Sequence, residues 1–190
     1  MNVIDPHSFW RWAYSNFLTN SLRGVLAEFI VGQCLGCLKE GDLRTEWDGM
    51  DRAGADIKTA DGRLIEVKAS GYLQAWEQRG LSKIKFDISR KQPLDPRTDT
   101  YGGTPTRASH VYVFAVFAET DRALADPLKL DQWFFLVCPT TMIEEKWPEQ
   151  KSITLSVLEA AGLRRLRHHE LREAIAPSNC HQSPAQLPEP

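Results

Sequence analysis

The chain has 190 residues, 25% of them charged and 42% hydrophobic, with a formal net charge of −2. That length and balance suit one globular domain with a sizeable core. They also fit no membrane segment, since no stretch reaches ~20 apolar residues. The N-terminus lacks a basic, apolar, small-residue signal pattern, and four cysteines make no secreted disulfide framework. The expected location is therefore cytoplasmic.

In chain order, residues 8–20 read as an aromatic-rich helix carrying Phe9, Trp10, Trp12, Tyr14 and Phe17. Such aromatics suit a core or a dimer face better than a base-stacking platform. Ser21 to Leu38 is helical by period, with Leu22, Val25, Leu26, Phe29, Ile30, Cys37 and Leu38 on one stripe. The opposite side is also apolar (Ala27, Val31, Cys34, Leu35), so burial around much of this helix is expected. Glu28 is the only charged residue between Arg23 and Lys39. A buried carboxylate must be paired, protonated or bound to metal. Its partner is either a base such as Arg23 or a metal ion shared with other acids. Cys34 and Cys37 form a CxxC, but inside an apolar helix the spacing reads as core packing rather than a metal centre. Leu43 to Trp47 reads as a first strand.

The most telling stretch follows. Ala55 to Thr59 and Arg63 to Val67 read as two strands around Ala60-Asp61-Gly62. A three-residue hairpin loop needs a residue at positive φ, which Gly62 supplies. That loop pairs Thr59 with Arg63, Ile57 with Ile65 and Asp56 with Glu66. Because side chains alternate faces, Asp56, Lys58, Leu64, Glu66 and Lys68 then share one face, and Ile57, Ile65 and Val67 the other. A slip of one residue would put every side chain on the wrong side. Two carboxylates and an amine on one polar face are equipment for holding a divalent metal and activating water against a phosphodiester. The plainer reading is an exposed amphipathic hairpin with solvated charges.

Beyond the hairpin, Tyr72 to Gln78 is expected as helix and Ile84 to Ile88 as a short strand. Residues 93–109 form a long Pro/Gly/Thr-rich loop, a lid or a DNA-contacting arm in the functional reading. The apolar runs Val111 to Ala118 and Trp133 to Cys138 are expected as buried strands. Helices are expected at Thr140 to Glu145, Leu155 to Ala161 and His168 to Ile175, with His168 and His169 on a solvated surface. The tail 177–190 is Pro/Ser/Gln-rich and expected to be disordered. From Arg79 to Arg107 seven basic residues (Arg79, Lys83, Lys85, Arg90, Lys91, Arg97, Arg107) face three acids, against the sign of the whole chain. Such a cluster is either a solvated loop or a phosphate-contacting surface. Neither a Ser/His/Asp arrangement nor a phosphate-cradling loop is present.

Taken together, Glu28 on a helix, Asp56 on one strand and Glu66-Val67-Lys68 on the next resemble the PD-(D/E)XK nuclease superfamily. Gln74 stands where many members carry a polar residue, and Ala55 stands where the superfamily motif has proline. The segments Ala27-Glu28-Phe29 and Ile65 to Trp76 also look like a group of small bacterial proteins. The resemblance spans roughly residues 21–139. It implies an α/β fold with a restriction-endonuclease-like core, a mixed central β-sheet flanked by α-helices and the hairpin at its centre. The implied organisation is a single domain over 1–176, with its core at 21–139 and C-terminal helices at 140–176.

The implied activity is Mg²⁺-dependent hydrolysis of nucleic-acid phosphodiesters, DNA above all, in restriction, defence or repair, with Mn²⁺ able to substitute. Asp56, Glu66, Lys68 and Gln74 would be catalytic. Glu28, Asp56, Glu66 and the carbonyl of Val67 would serve the metal. Double-strand cleavage needs two sites, which makes a homodimer or a partner subunit natural. The alternatives are a non-catalytic DNA- or protein-binding module on the same fold, and a hydrolase of small phosphoesters with an enclosed pocket.

Overall fold

The computed structural model describes residues 3–38, 55–95, 98 and 100–176. The expected first strand at Leu43 to Trp47, Arg97 and the tail 177–190 lie outside the described residues.

The hairpin forms in the expected register. Strand β1 (Ile57–Lys58) pairs antiparallel with β2 (Leu64–Gly71), Ile57 opposite Ile65 and Lys58 opposite Leu64. Thr59 N–H donates to the Arg63 carbonyl at 2.9 Å, and Gly62 sits at φ +82°. An L-residue resists that backbone conformation, so the glycine fixes the loop length and the loop fixes the faces.

The chain leaves β2, makes two short excursions and returns parallel to it. The excursions are β3 (Lys85–Asp87) and a small antiparallel arm of β4 (Leu94–Asp95) and β5 (Thr100–Tyr101). Strand β6 (Val111–Phe117) then pairs parallel with β2, placing Tyr112 beside Glu66 and Phe114 beside Lys68. Strand β7 (Trp133–Pro139) pairs antiparallel with β6, and β8 (Ser152–Thr154) pairs with β3. The main sheet is therefore mixed, in the order β1-β2-β6-β7. The expectation that the hairpin lies at the centre needs correction: among the described strands β1 is outermost, and the centre is β2 with β6. Every residue of β6 is buried, as a strand covered on both faces requires.

Helices flank both faces. On one, α2 (Asn20–Leu35) and α5 (Leu171–Ile175) pack over Ile65, Val67, Val113, Ala115 and Phe135. On the other, α3 (Thr140–Lys146), α4 (Leu155–Ala160) and the β3–β8 pair cover Phe114, Val116, Leu136 and Cys138. This is the mixed α/β class expected from the sequence.

Several local expectations are revised. The aromatic helix is shorter, as α1 (Pro6–Ala13), capped by the Asp5 carboxylate on Ser8 N–H at 3.0 Å. It buries no residue, so its aromatics are not core. In α2 the buried face is Ala27, Ile30, Val31 and Gly32, whereas Val25 and Phe29 from the expected stripe are exposed. From that stripe Ile30 is buried and Leu26 packs against the core, beside Ala27 and Val31 of the opposite side, which was also expected to be buried. Helix α2 ends at Gly36, in the left-handed conformation at φ +74°, so Cys37 and Leu38 fall beyond it.

The expected helix at Tyr72 to Gln78 is a loop. The Gln78 carboxamide accepts from Gln74 N–H at 2.6 Å and donates to the Tyr72 carbonyl at 3.2 Å, satisfying backbone groups that a helix would have paired. The expected loop 93–109 contains the β4–β5 arm, rooted by an antiparallel bridge between Lys91 and Thr106. His168–Glu170 is a 3-10 turn leading into α5.

Candidate functional site

Glu66 lies in the interior of β2, on the face shared with Tyr112, and is only 2% exposed. Strand alternation brings Lys68, two residues on, to the same face, where its ammonium forms an ion pair with Glu66 Oε1. A second ammonium reaches the same oxygen: Lys91 Nζ lies 2.9 Å away, carried there from the root of the arm. The Ser109 hydroxyl donates to Glu66 Oε2 at 3.5 Å. A buried carboxylate must be compensated, and two lysines from different elements compensate this one.

Asp56 precedes β1, and its backbone N–H donates to the Ile65 carbonyl at 3.0 Å. Its Oδ2 accepts from Val67 N–H at 2.6 Å, which ties the carboxylate to β2 beside Glu66. Burial, and next the charge of Glu66, push the Asp56 carboxyl above its ordinary range; the Val67 N–H, Lys68 and Lys91 oppose the rise. The sequence-predicted trio of Asp56, Glu66 and Lys68 thus converges on one face.

Two neighbours had no signal in the sequence. Tyr112 is brought alongside Glu66 by the parallel pairing, and burial followed by the Glu66 charge drives its phenol far upward. Asp87 on β3 feels both lysines. Burial raises its carboxyl, but the Ser89 hydroxyl at 2.6 Å and N–H at 3.0 Å, with Lys68 and Lys91, hold it below its ordinary value. Only long-range pairing places these residues, so local pattern could not.

The remaining sequence candidates scatter. Glu28 is half-buried on α2, which packs against the face of the sheet opposite Glu66, and it has an interaction of its own. Gln74 is buried beyond the end of β2. Its amide donates to the Gly71 carbonyl at 2.9 Å and Ser82 Oγ at 3.2 Å and accepts from Arg23 at 3.3 Å.

Of the basic cluster, Arg79, Lys83 and Lys85 are exposed. Arg90 pairs with Glu144 at 2.6 Å and Glu149 at 3.4 Å. The Arg107 side chain is 1% exposed and spent on Glu144 at 2.9 Å and on the Ile88, Pro148 and Gln150 carbonyls. Arg107 is a structural clamp between loops.

Cys34 and Cys37 are free, half-buried thiols packed against the core, and burial raises both. Burial pushes Cys138 up to about 12. His169 is exposed, whereas His168 is half-buried with Nδ1 unpartnered. A cleft of about 850 Å³ opens between Arg63, His110, Met142, Leu163 and Arg164, and none of Asp56, Glu66 and Lys68 lines it.

Among the described residues no group of three or more His, Cys, Asp or Glu is placed to hold a metal ion. The donor set near Glu66 is a pair, Asp56 and Glu66. Oxygen donors in that number suit Mg²⁺, which keeps several waters and takes one or two carboxylates with substrate phosphates completing its shell. Burial, and after it the Glu66 charge, raise the Asp56 carboxyl, and a divalent cation beside both carboxylates would oppose that rise. No protein-family model matches the chain, and no curated protein matches it significantly.

Proposed function

We propose that this protein is a Mg²⁺-dependent nuclease of PD-(D/E)XK type that hydrolyses nucleic-acid phosphodiesters, with DNA as the favoured substrate. The carrying observation is the convergence of Asp56, Glu66 and Lys68 on one face, with the carboxylates close enough for Glu66 to raise Asp56. Supporting it, the helix bearing Glu28 precedes the two hairpin strands, the order that the resemblance implies, and the sheet is mixed.

Asp56 and Glu66, with the Val67 carbonyl, would hold the metal, which when bound polarises a phosphoryl oxygen and favours ionisation of water. Lys68 supplies a positive charge where negative charge develops on the phosphate. The Glu66 carboxylate orients that ammonium, and the Val67 N–H orients Asp56. Exposed Arg79, Lys83 and Lys85 are available to phosphates without breaking a described ion pair. Among the described residues no helix is long and apolar enough to cross a membrane, in keeping with a cytoplasmic enzyme that acts alone, as a homodimer or with a partner subunit.

The test is incubation of supercoiled plasmid with Mg²⁺ or Mn²⁺ beside Glu66→Ala. Metal-dependent nicking that the substitution removes supports the reading. A folded protein that cleaves no duplex, single-stranded or branched DNA refutes it. A second reading, a non-catalytic DNA- or protein-binding module, draws on the engagement of both Lys68 and Lys91 by Glu66 and of Arg90 and Arg107 by Glu144. It predicts DNA retention without cleavage.

A further inference from the structure

Lys68 and Lys91 share one oxygen of Glu66 but are held differently. Lys68 is fixed in β2 two residues from its partner, and its side chain is 21% exposed. Lys91 arrives from the arm, and its side chain is 56% exposed although its ammonium rests on a carboxylate that is 3% exposed. One ammonium is part of the strand. The other is a solvent-accessible cation standing at the mouth of a buried anion. From that asymmetry we infer that Lys91 is an exchangeable counter-ion. It neutralises Glu66 when no metal is bound, competes with divalent cation for Oε1, and is released toward substrate phosphate when the cation enters.

This inference rests on the metal-dependent reading above and adds its regulation. The physical argument is charge balance. With both carboxylates ionised, Asp56 and Glu66 balance Lys68 and Lys91, so a divalent ion added on top would leave the four side chains and the ion with a large positive excess. Exchange of the more exposed lysine for the ion lowers that excess. It also leaves an ammonium on a short β-arm beside the site, where a phosphodiester would lie. Exchange does not require strand β2 to move, because Lys91 enters from outside it.

The test is calorimetric titration of Mn²⁺ alone into the full chain, with no nucleic acid present. Lys91→Met keeps the aliphatic stem and deletes the charge. It should bind Mn²⁺ about three- to tenfold more tightly than wild type, the scale of one partly exposed ion pair. Lys91→Arg, which keeps the charge, should bind like wild type. Adding Glu66→Gln to Lys91→Met should erase the gain. Equal or weaker Mn²⁺ affinity in a folded Lys91→Met, with wild-type binding that depends on Glu66, overturns the exchange and leaves the nuclease reading standing. Absence of Mn²⁺ binding in both proteins overturns the exchange and the metal reading together.

Discussion

Two buried charges lie along β2, and they are satisfied in opposite ways. Glu66, within the strand, is met by two lysine ammoniums on flexible stems, one of them largely exposed. Arg23, packed beyond its end, is 3% exposed and met mainly by groups that cannot leave. Its guanidinium donates to the Leu18 carbonyl at 3.2 Å, the Leu73 carbonyl at 3.1 Å, Asn20 Oδ1 and Gln74 Oε1. No carboxylate among the described residues pairs with it, Nε is unpartnered, and burial lowers its pKa. A charge anchored by backbone dipoles is architecture: it pins α2 to the loop after β2. A charge balanced by side-chain ammoniums can exchange partners, which the proposed metal site would require.

The largest effects should break the Glu66 end. On the proposed nuclease reading, Glu66→Ala and Lys68→Ala are each expected to lower DNA cleavage at least about a hundredfold, the scale of removing one preorganised charge from a transition state. Lys68→Ala should leave the fold and DNA retention intact. Plasmid nicking time courses paired with thermal melts check both. Wild-type cleavage by Lys68→Ala would remove that amine from the mechanism.

At the Arg23 end the expected loss is in stability. Arg23→Ala strands two carbonyls and two side-chain acceptors and opens a cavity, at a cost of about 2–4 kcal/mol. Urea unfolding would register it as a lower midpoint. Activity per folded molecule should change little. A fall in activity without a fall in stability would mean that Arg23 belongs to the site, and the contrast between the two ends would collapse.

These two ends also differ in how legible they were. The hairpin was readable because one glycine sets the loop and strand alternation does the rest: from Gly62 the convergence of Asp56, Glu66 and Lys68 follows by counting. Buried β6 and β7 were readable as unbroken apolar runs. Arg23 was not readable as a core residue, because its burial depends on carbonyls fifty residues away. Gln74 was legible as a polar residue just after the strand, where the resemblance has one, but its hydrogen bond from Arg23 was not. In α2, hydrophobicity favoured Val25 and Phe29, whereas packing on the sheet buries Ala27, Ile30 and Val31, and Gly32 faces the Leu38 side chain. Lys91 and Arg107 look alike in sequence, yet one reaches the site and the other clamps loops together, since tertiary partners alone separate them.

A smaller effect sharpens the contrast by setting function against stability at a single residue. Asp56 titrates above its ordinary 3.8 because of burial and the Glu66 charge. In the window between that raised value and 3.8 the native state holds a proton that the unfolded chain has lost. This residue's contribution therefore grows as pH falls through that window, levels off below 3.8, and is least favourable at neutral pH. Asp56→Asn retains an acceptor for Val67 N–H and deletes the disfavoured charge. It should raise neutral-pH stability by on the order of 1 kcal/mol while abolishing Mn²⁺ binding. The stability gain should shrink as pH is lowered toward 3.8. Melting both proteins across that range checks the sign, and a gain that grows on acidification would show that Asp56 is stabilised, not strained, by its surroundings.

The finest distinction lies within the basic stretch, between cations already spent and cations still available. Arg90 is held by Glu144 and Glu149, and the Arg90 hydrogen bond is what chiefly holds the Glu144 carboxyl below its ordinary value. Lys85, on the exposed edge residue of β3, is paired through its backbone to Thr154 and leaves its ammonium in solvent. A phosphate that recruits Arg90 must compete with two carboxylates; one that recruits Lys85 need only displace water and counter-ions. Lys85→Ala should therefore reduce the slope of log affinity for a DNA duplex against log salt by about 1, with a loss of affinity that is uniform across sequences. Arg90→Ala should change that slope less, because the Arg90 charge is already spent on Glu144 and Glu149 rather than on DNA. Equal slopes for the two variants would mean that DNA pulls Arg90 off its acids. The basic stretch would then work as the Glu66 site is proposed to work, by exchange of ion partners rather than by free charge.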